Sequence, residues 1–303
     1  MTLALRDLVR RASRELGYHD HIPVGMSEPT ARIPKTAAVN GTLRLTDHLP
    51  EILFDKARPS RSEIPAGERL TIDAAALFNS RVAQVGAHII RLPEPAFIES
   101  GEPVLADTPA GLRIIRPAPF ATVVDGADVT ASALADVIAE AKVDRATMPQ
   151  VAVRIPLPRS AIKAVGDAQI VAEVAHSIAL GVGAAVDRAL LAALVASTPD
   201  AFSFGAVAAA GLRHRDLRAI VGTGGAGAVA DRGELFVNGI TAETSDVVTE
   251  TIVAAFDRFG VIVSPEIELL AERIDATGSV TLTAWLGVAA LVPDAGFAWT
   301  VAA

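Results

Sequence analysis

The run Gly222, Thr223, Gly224, Gly225, Ala226 and Gly227 satisfies G-x-G-x-x-G directly after the apolar stretch Leu217 to Val221. Glycines so spaced let backbone N–H groups approach a pyrophosphate, and the chemistry they imply is dinucleotide binding. That reading needs a helix to begin at the last glycines, with its N-terminus facing the phosphates. Ala228 to Ala230 is followed at once by Asp231, Arg232 and Gly233, which leaves little room for one. A flexible loop between β elements is the expectation, and no cofactor is assigned. His19, Asp20 and His21 could set two imidazoles on one side of a strand, but no third ligand stands nearby at metal spacing. They read as solvated loop residues. His176 lies three residues beyond Glu173, where a surface hydrogen bond accounts for both, and His214 sits in the charged run GLRHRDLR. No H-E-x-x-H, G-x-S-x-G or Walker A lysine motif occurs. The absence of cysteine excludes thiolate catalysis, a disulfide framework and a Cys-based zinc site. No catalytic, cofactor-binding or metal-ligating residue is therefore assigned, and an enzyme is not expected.

The elements that would position any site come from a chain of 303 residues, enough for one large domain or two ordinary ones. It is 51% hydrophobic but only 4% aromatic, so Ala, Val, Leu and Ile exceed what a monomer of this size needs to bury. Homo-oligomerisation is the natural outlet. A net charge of −8 argues against a protein that coats nucleic acid, because phosphate neutralisation needs an excess of Lys and Arg. From Asp231 onward eleven acidic residues stand against three arginines, so the acidity is concentrated late in the chain. Arg6, Arg10, Arg11 and Arg14 interrupt the apolar positions of the N-terminal stretch, which does not read as an export signal. The uncharged run Val174 to Val186 is shorter than the ~18 residues of a membrane span. Ala276 to Pro293 mixes Ser and Thr with apolar residues as a strand does. A soluble protein without a membrane partner is expected, and a cytosolic origin is easy to accept for a chain without cysteine.

Leu5, Leu8, Val9, Ala12 and Leu16 make an amphipathic first helix with an arginine-rich outer face, read as a docked surface helix. Fifteen of the 18 prolines precede Ser160, which implies extended arms and loops in the first half. Ile72 to Ile90 holds one helix or a strand pair, which periodicity does not resolve. Leu112 to Val124 reads as strand broken at Pro117 and Pro119, with a hairpin-type turn at Asp125-Gly126. Ser132 to Ala141 has helical propensity yet would also fit a long hairpin excursion. Val151, Val153, Ile155 and Leu157 then alternate as a half-buried strand, which Pro156 and Pro158 stop.

After Asp167, a plausible N-cap, Ile170, Val174, Ile178, Val182, Val186, Leu190 and Leu194 recur every four residues. The helix runs to about Ser197 and would be roughly 45 Å long at about 1.5 Å per residue, the spine of the molecule. Gly181 and Gly183 within it point to a close backbone contact or bend, or, as the functional alternative, to a touching ligand. Ser197 to Gly211 is loop or short helix, and from Glu234 the chain turns strongly β. There Val280, Leu282, Ala284, Leu286 and Val288 share one face of the last long strand, and Trp285 and Trp299 read as packing residues.

Three places resemble the HK97-fold major capsid proteins of tailed bacteriophages. VAVRIPLPRSAIKAV followed by DAQIVAEVAHSIALGVGAAVDRALLAAL looks like that family's strand and long helix, with Asp187, Arg188, Ala189 and Leu190 matching its D/E-R-A-hydrophobic ending. LRIIRPAPFATVVDGADV resembles the strands that flank its extended loop. The stretch from Thr251 to Trp299 is similar to its closing strands, where Pro293, Asp294, Ala295, Gly296 and Phe297 match a P-x-A-F-like close with Gly296 inserted.

The resemblance covers roughly Leu112 to Trp299 and implies an α+β, HK97-like capsid fold with an N-terminal arm, an extended loop, a long spine helix and an antiparallel sheet. It places the arm and extended segments at 1–70, lead-in strands at 71–120, the extended loop at 121–150, a peripheral domain at 151–198 and 246–303, and an axial domain at 199–245. The implied function is a head protein that self-assembles as hexamers and pentamers into an icosahedral shell, enclosing DNA without sequence-specific binding. Portal and decoration or scaffold proteins are the implied partners, the virion the implied location and the host cytoplasm the place of assembly. Assembly residues expected on this basis are Val182, Val186 and Leu190 of the spine, together with Lys142. Some members of the family crosslink a loop lysine to an asparagine, for which Lys142 and Asn238 are the conceivable pair. The alternatives are an encapsulin-type compartment shell and, from a different class, a dinucleotide-binding enzyme using Gly222 to Gly227.

Overall fold

The computed structural model describes residues 5–14, 18–21, 31–34, 37–43, 76, 79–93, 96–100, 102–106, 110–118, 120, 122, 123, 125, 128, 131–273 and 278–301. The chain begins with α1 (Leu5–Arg14), β1 (Tyr18–His21), β2 (Ala31–Pro34) and β3 (Ala37–Leu43). Next come α2 (Arg81–Gln84), β4 (His88–Arg91), β5 (Ala96–Ser100), β6 (Glu102–Ala106) and β7 (Ala110–Ile115). A short α3 (Leu134–Val137) runs straight into β8 (Ile138–Val143), followed by β9 (Gln150–Leu157), α4 (Arg159–Val165), the 30-residue α5 (Asp167–Ala196) and α6 (Phe204–Ala209). The remainder is β10 (Arg218–Val221), β11 (Ala228–Asp231), β12 (Glu234–Val237), β13 (Ile240–Thr244), β14 (Thr251–Ala254), β15 (Gly260–Val263), β16 (Ile267–Arg273), β17 (Val280–Leu291) and β18 (Ala298–Val301). This is an α+β protein with one long helix and predominantly antiparallel sheet. It divides into two compact units, Met1–Ala75 with Gln150–Val182 and Ser264–Gly287, and Ala76–Pro149 with Gly183–Val263 and Val288–Ala303.

In the first unit β3, β16, β17 and β9 form an all-antiparallel sheet in that order. Period-two patterning builds it. Val280, Leu282, Ala284 and Leu286 of β17 are buried, as are Ile267, Leu269 and Ala271 of β16. α1 packs on β3 and β16 through Leu5, Leu8, Val9 and Ala12, all buried, and leaves Arg11 and Arg14 in solvent. Each fully buried leucine there contributes about 1.5–3 kcal/mol, so the arginine-bearing helix is docked by its apolar stripe. β9 closes the edge of the sheet, and Pro158 lets the chain turn into α4, a helix that the sequence pattern did not indicate. Gly166, at φ 89°, ends α4 and separates it from α5.

The second unit holds a six-stranded sheet in the order β11-β12-β13-β10-β14-β18. β10 pairs in parallel with β13, with the β11–β12 hairpin between them in the chain, a parallel pair within what the resemblance implied as an antiparallel sheet. The same sheet draws in β14 and β18, beyond the 199–245 segment read as axial. Leu217, Ala219, Val221, Val237, Ile240, Val253 and Trp299 fill its core. A second sheet pairs β15 with β4 in parallel and with Val288–Leu291 of β17 in antiparallel fashion. Ile72 to Ile90 resolves, over its described part, as α2 followed by β4. Ser132 to Ala141 is both things its sequence suggested, since α3 supplies the helix and β8 the strand that pairs with β7. Much of the expected arm at 1–70, Gly126 of the expected Asp125-Gly126 turn and residues 276 and 277 of the expected turn from Ala276 to Gly278 lie outside the described residues.

Candidate functional site

The glycine loop does not have the form a dinucleotide site requires. Strand β11, not a helix, follows it. Its amides are spent on the chain itself: Thr223 N–H donates to the Val248 carbonyl at 2.9 Å and Gly224 N–H to that of Thr249 at 3.0 Å. A Cβ on Gly222 would lie 2.4 Å from the Glu250 carbonyl oxygen, so close backbone approach explains that glycine. His19 and His21 belong to β1, paired with β2. Glu173 accepts from Gln169 Nε2 at 3.0 Å, one turn earlier, in place of the expected bond to His176. Among the described residues no three metal-ligating side chains converge.

The expected assembly residues of the spine are core residues of the chain itself. Val182 is 3% exposed and Val186 and Leu190 are fully buried, and the rest of the four-spaced row from Ile170 to Leu194 is buried too. They hold the chain itself together, and the exposed positions of α5 include Leu180, Ala184, Arg188 and Ala192. The stretch Ala172–Ala196 is the one described helix long and apolar enough to cross a membrane, yet half of its apolar window is buried within the chain. Asp187, buried among these side chains, accepts from Ser80 Oγ at 2.6 Å and from the N–H groups of Arg81 and Val82 at 3.0 Å each. Ser80 Oγ in turn accepts from Ala83 N–H at 3.1 Å, so the two side chains together satisfy the first turn of α2. Gly183 makes this close approach possible: a Cβ there would stand 2.5 Å from the carbonyl carbon of Asn79. Gly181, by contrast, faces open space.

The most exposed surface feature is the excursion between β7 and β8, which overlaps the stretch 121–150 that the resemblance assigns to an extended loop. Every described residue from 117 to 136 is exposed, including Phe120 at 99% and Leu134 at 71%, and Ile115 at its root is 71% exposed. Its base is nevertheless fixed. Arg116 N–H donates to the Val137 carbonyl at 2.8 Å, and its guanidinium donates through Nη1 to the Ala135 carbonyl at 3.1 Å and through Nε to Asp294 Oδ2 at 2.7 Å. The other oxygen of Asp294 accepts from Gly296 N–H, which gives the extra glycine of the P-D-A-G-F sequence a structural role. Arg258 adds a contact over the Phe297 ring at 5.8 Å and donates to the Ile115 carbonyl. A phenylalanine between Pro119 and Ala121, four residues after an arginine, was the available sign in RPAPFATVV.

Lys142 lies on β8 and pairs with Glu140 at 3.1 Å, while Arg113 reaches the same carboxylate across the ladder at 3.4 Å. The Lys142 ammonium bonded to it, helped by the Arg113 guanidinium and opposed by slight desolvation, holds the Glu140 carboxyl below the usual carboxylate range. Asn238 sits in the β12–β13 turn, where it and Gly239 both take positive φ, as a two-residue Asn-Gly hairpin requires.

No known family profile matches the chain, and no curated protein matches it by sequence. Solved structures with some likeness include a capsid of a native GTA particle (14% identity over 82% of this chain and 96% of that one, TM-score 0.43). Mycobacterium phage Che8 gives 12% identity over 82% and 98%, TM-score 0.45. A virus-like particle from Pyrococcus furiosus gives 9% identity over 76% and 96%, TM-score 0.46. A likeness at these TM-scores decides neither topology nor function.

Proposed function

We propose that this chain is a structural subunit with an HK97-like fold, many copies of which self-assemble as hexamers and pentamers into an icosahedral head that encloses viral DNA, and that it performs no catalysis. The observation that carries this reading is the excursion from β7 to β8: apolar side chains stand in solvent on a segment whose base is clamped by Arg116, Asp294 and Arg258. A rigidly based apolar projection lowers its free energy only against another surface. With an apolar content above a monomer's need, a second copy is the economical partner. The order of β9, α4 and the long α5, followed later by β16 and β17, supports the likeness noted in the sequence. The dinucleotide reading loses its basis with the loop amides committed to Val248 and Thr249. The virion, with assembly in the host cytoplasm, is the location that follows, and portal, decoration or scaffold proteins are the partners it would meet there. Expression of the chain alone, with sizing and electron microscopy, tests the proposal. Megadalton particles are expected; a monomer or dimer that binds a dinucleotide refutes it. Particles that hold protein cargo in place of DNA would identify a compartment shell instead.

A further inference from the structure

The geometry points to a nucleic-acid contact at the turn Arg213 to Arg218, with single-stranded nucleic acid as its ligand. Three arginines fall within six residues, all exposed, in a chain whose net charge is −8. They are presented on a fixed turn. Asp216 Oδ2 accepts from Arg213 N–H at 2.9 Å, Leu217 N–H donates to the His214 carbonyl at 3.2 Å, and the Leu217 side chain is fully buried in the sheet core. Asp216 is thereby held as the cap of the turn, and its other oxygen lies 3.7 Å from Arg215 Nε. The Arg213 guanidinium makes no ion pair among the described residues. Arg218 spends Nη1 on the carbonyls of Arg215 and Leu217 at 3.1 and 2.7 Å, which leaves Nε and Nη2 to donate to acceptors such as phosphate oxygens.

Beside the arginines stands an exposed aromatic platform. Phe204, at the start of α6, is 57% exposed, and its ring lies 6.0 Å from that of His214 with 31° between the planes. Phe202 braces it from the side, edge to face at 5.3 Å. A solvated charge run does not require an exposed ring braced by a second ring, whereas guanidinium groups for phosphates next to a ring face for bases are the two halves of a single-strand site. A duplex hides its base faces and could use only the arginines. The chain-wide negative charge makes the contact local and easily lost with salt.

This inference is independent of shell formation, and one set of samples separates the two. Fluorescence anisotropy of a labelled 20-mer of deoxythymidylate and of a 20-base-pair duplex is measured with the full chain from 25 to 200 mM salt, and light scattering on the same samples reports particle size. The single strand is expected to bind at low salt and more tightly than the duplex. Arg213→Ala with Arg215→Ala should weaken it at least tenfold and lower the salt slope by about 1.4, at about 0.7 per phosphate contact. Phe204→Ala should weaken the single strand about tenfold and leave the duplex unchanged, and Arg11→Ala with Arg14→Ala, on α1, should change neither. Absence of binding at 25 mM salt, equal loss in the α1 variant, or a duplex bound as tightly as the single strand would overturn it. So would an arginine variant that loses particle size while its oligonucleotide affinity stays that of the wild type, because the turn would then be a contact between copies.

Discussion

Two glycines two positions apart in α5 should respond to alanine with opposite signs. A Cβ on Gly181 meets nothing within 4 Å, so Gly181→Ala gains only the helix propensity, about 0.5–1 kcal/mol. A Cβ on Gly183 would stand 2.5 Å from the Asn79 carbonyl carbon, 2.6 Å from its oxygen and 2.7 Å from its Cβ. Carbon atoms in contact prefer about 3.5–4.0 Å, so backbone must retreat by roughly 1 Å. The retreat cannot be confined to Asn79. The next residue, Ser80, donates to Asp187 at 2.6 Å, and Arg81 and Val82 follow with their amides, so the shift stretches three bonds to a buried carboxylate. Overpacking of this kind costs about 1–3 kcal/mol, and the stretched bonds add to it, against a propensity gain below about 1 kcal/mol. The two variants should therefore differ by about 2–3 kcal/mol. Urea unfolding followed by the fluorescence of buried Trp299 would show it: at a slope of about 3 kcal/mol/M the midpoints separate by nearly 1 M, with the wild type between them. Midpoints that move in the same direction would refute the assignment of Gly183 to close packing and of Gly181 to an open face.

Other substitutions probe neighbouring parts of the argument. Asp187→Ala leaves Ser80 Oγ and two amide N–H groups without their charged acceptor and should cost about 3 kcal/mol or more in the same titration. Asp187→Asn should recover less than half of that, because all three partners donate and the amide nitrogen would face a donor. Asp294→Asn, at a half-buried pair, should cost stability only about 1 kcal/mol, yet hydrogen exchange at residues 135–137 should quicken and particle yield should fall. Protection unchanged at those amides would separate Arg116 from the excursion. The Glu140 carboxyl, depressed by Lys142 and Arg113, should titrate below an ordinary glutamate by carbon-detected NMR and return toward it in Lys142→Ala. Because the folded value is the lower one, the ladder contact is intact above the unfolded value and is lost as the pH falls through the folded one.

The periodic parts of the fold were readable because burial follows period. The row Ile170 to Leu194 and the face Val280 to Val288 are buried residue for residue, and the amphipathic stripe of α1 docks as its pattern suggests. Gly183 illustrates a half-readable feature: the sequence shows that a helix tolerates two glycines, but only the partner segment at Asn79, distant in the chain, tells which of them is required. α4 was hidden because its seven residues are too few to show a period and sit between prolines and a glycine. The parallel pairing of β10 with β13 depends on which edges are free after the β11–β12 hairpin closes, a long-range choice that local propensity does not encode. Val182, Val186 and Leu190 were read as contacts between copies, yet an apolar row looks the same whether its partner is the same chain or another. The exposure of Phe120 was hidden for the converse reason, since strand-like patterning in RPAPFATVV says nothing about what lies opposite it.

The pairing of β18 with β14 also sets an order of events in time. β14 lies between β10 and β18, and Trp299 of β18 belongs to the same core as Leu217, Val221 and Val253. While the chain is being synthesised, β10 to β14 emerge before β18 exists, so β14 keeps an open edge and the core lacks its indole until the ribosome has made residues 298–301. The core of the second unit is thus completed only when β18 joins it, through contacts of long sequence separation. A nascent chain carries an unfinished sheet until β18 has emerged, and only then is the edge of β14 covered.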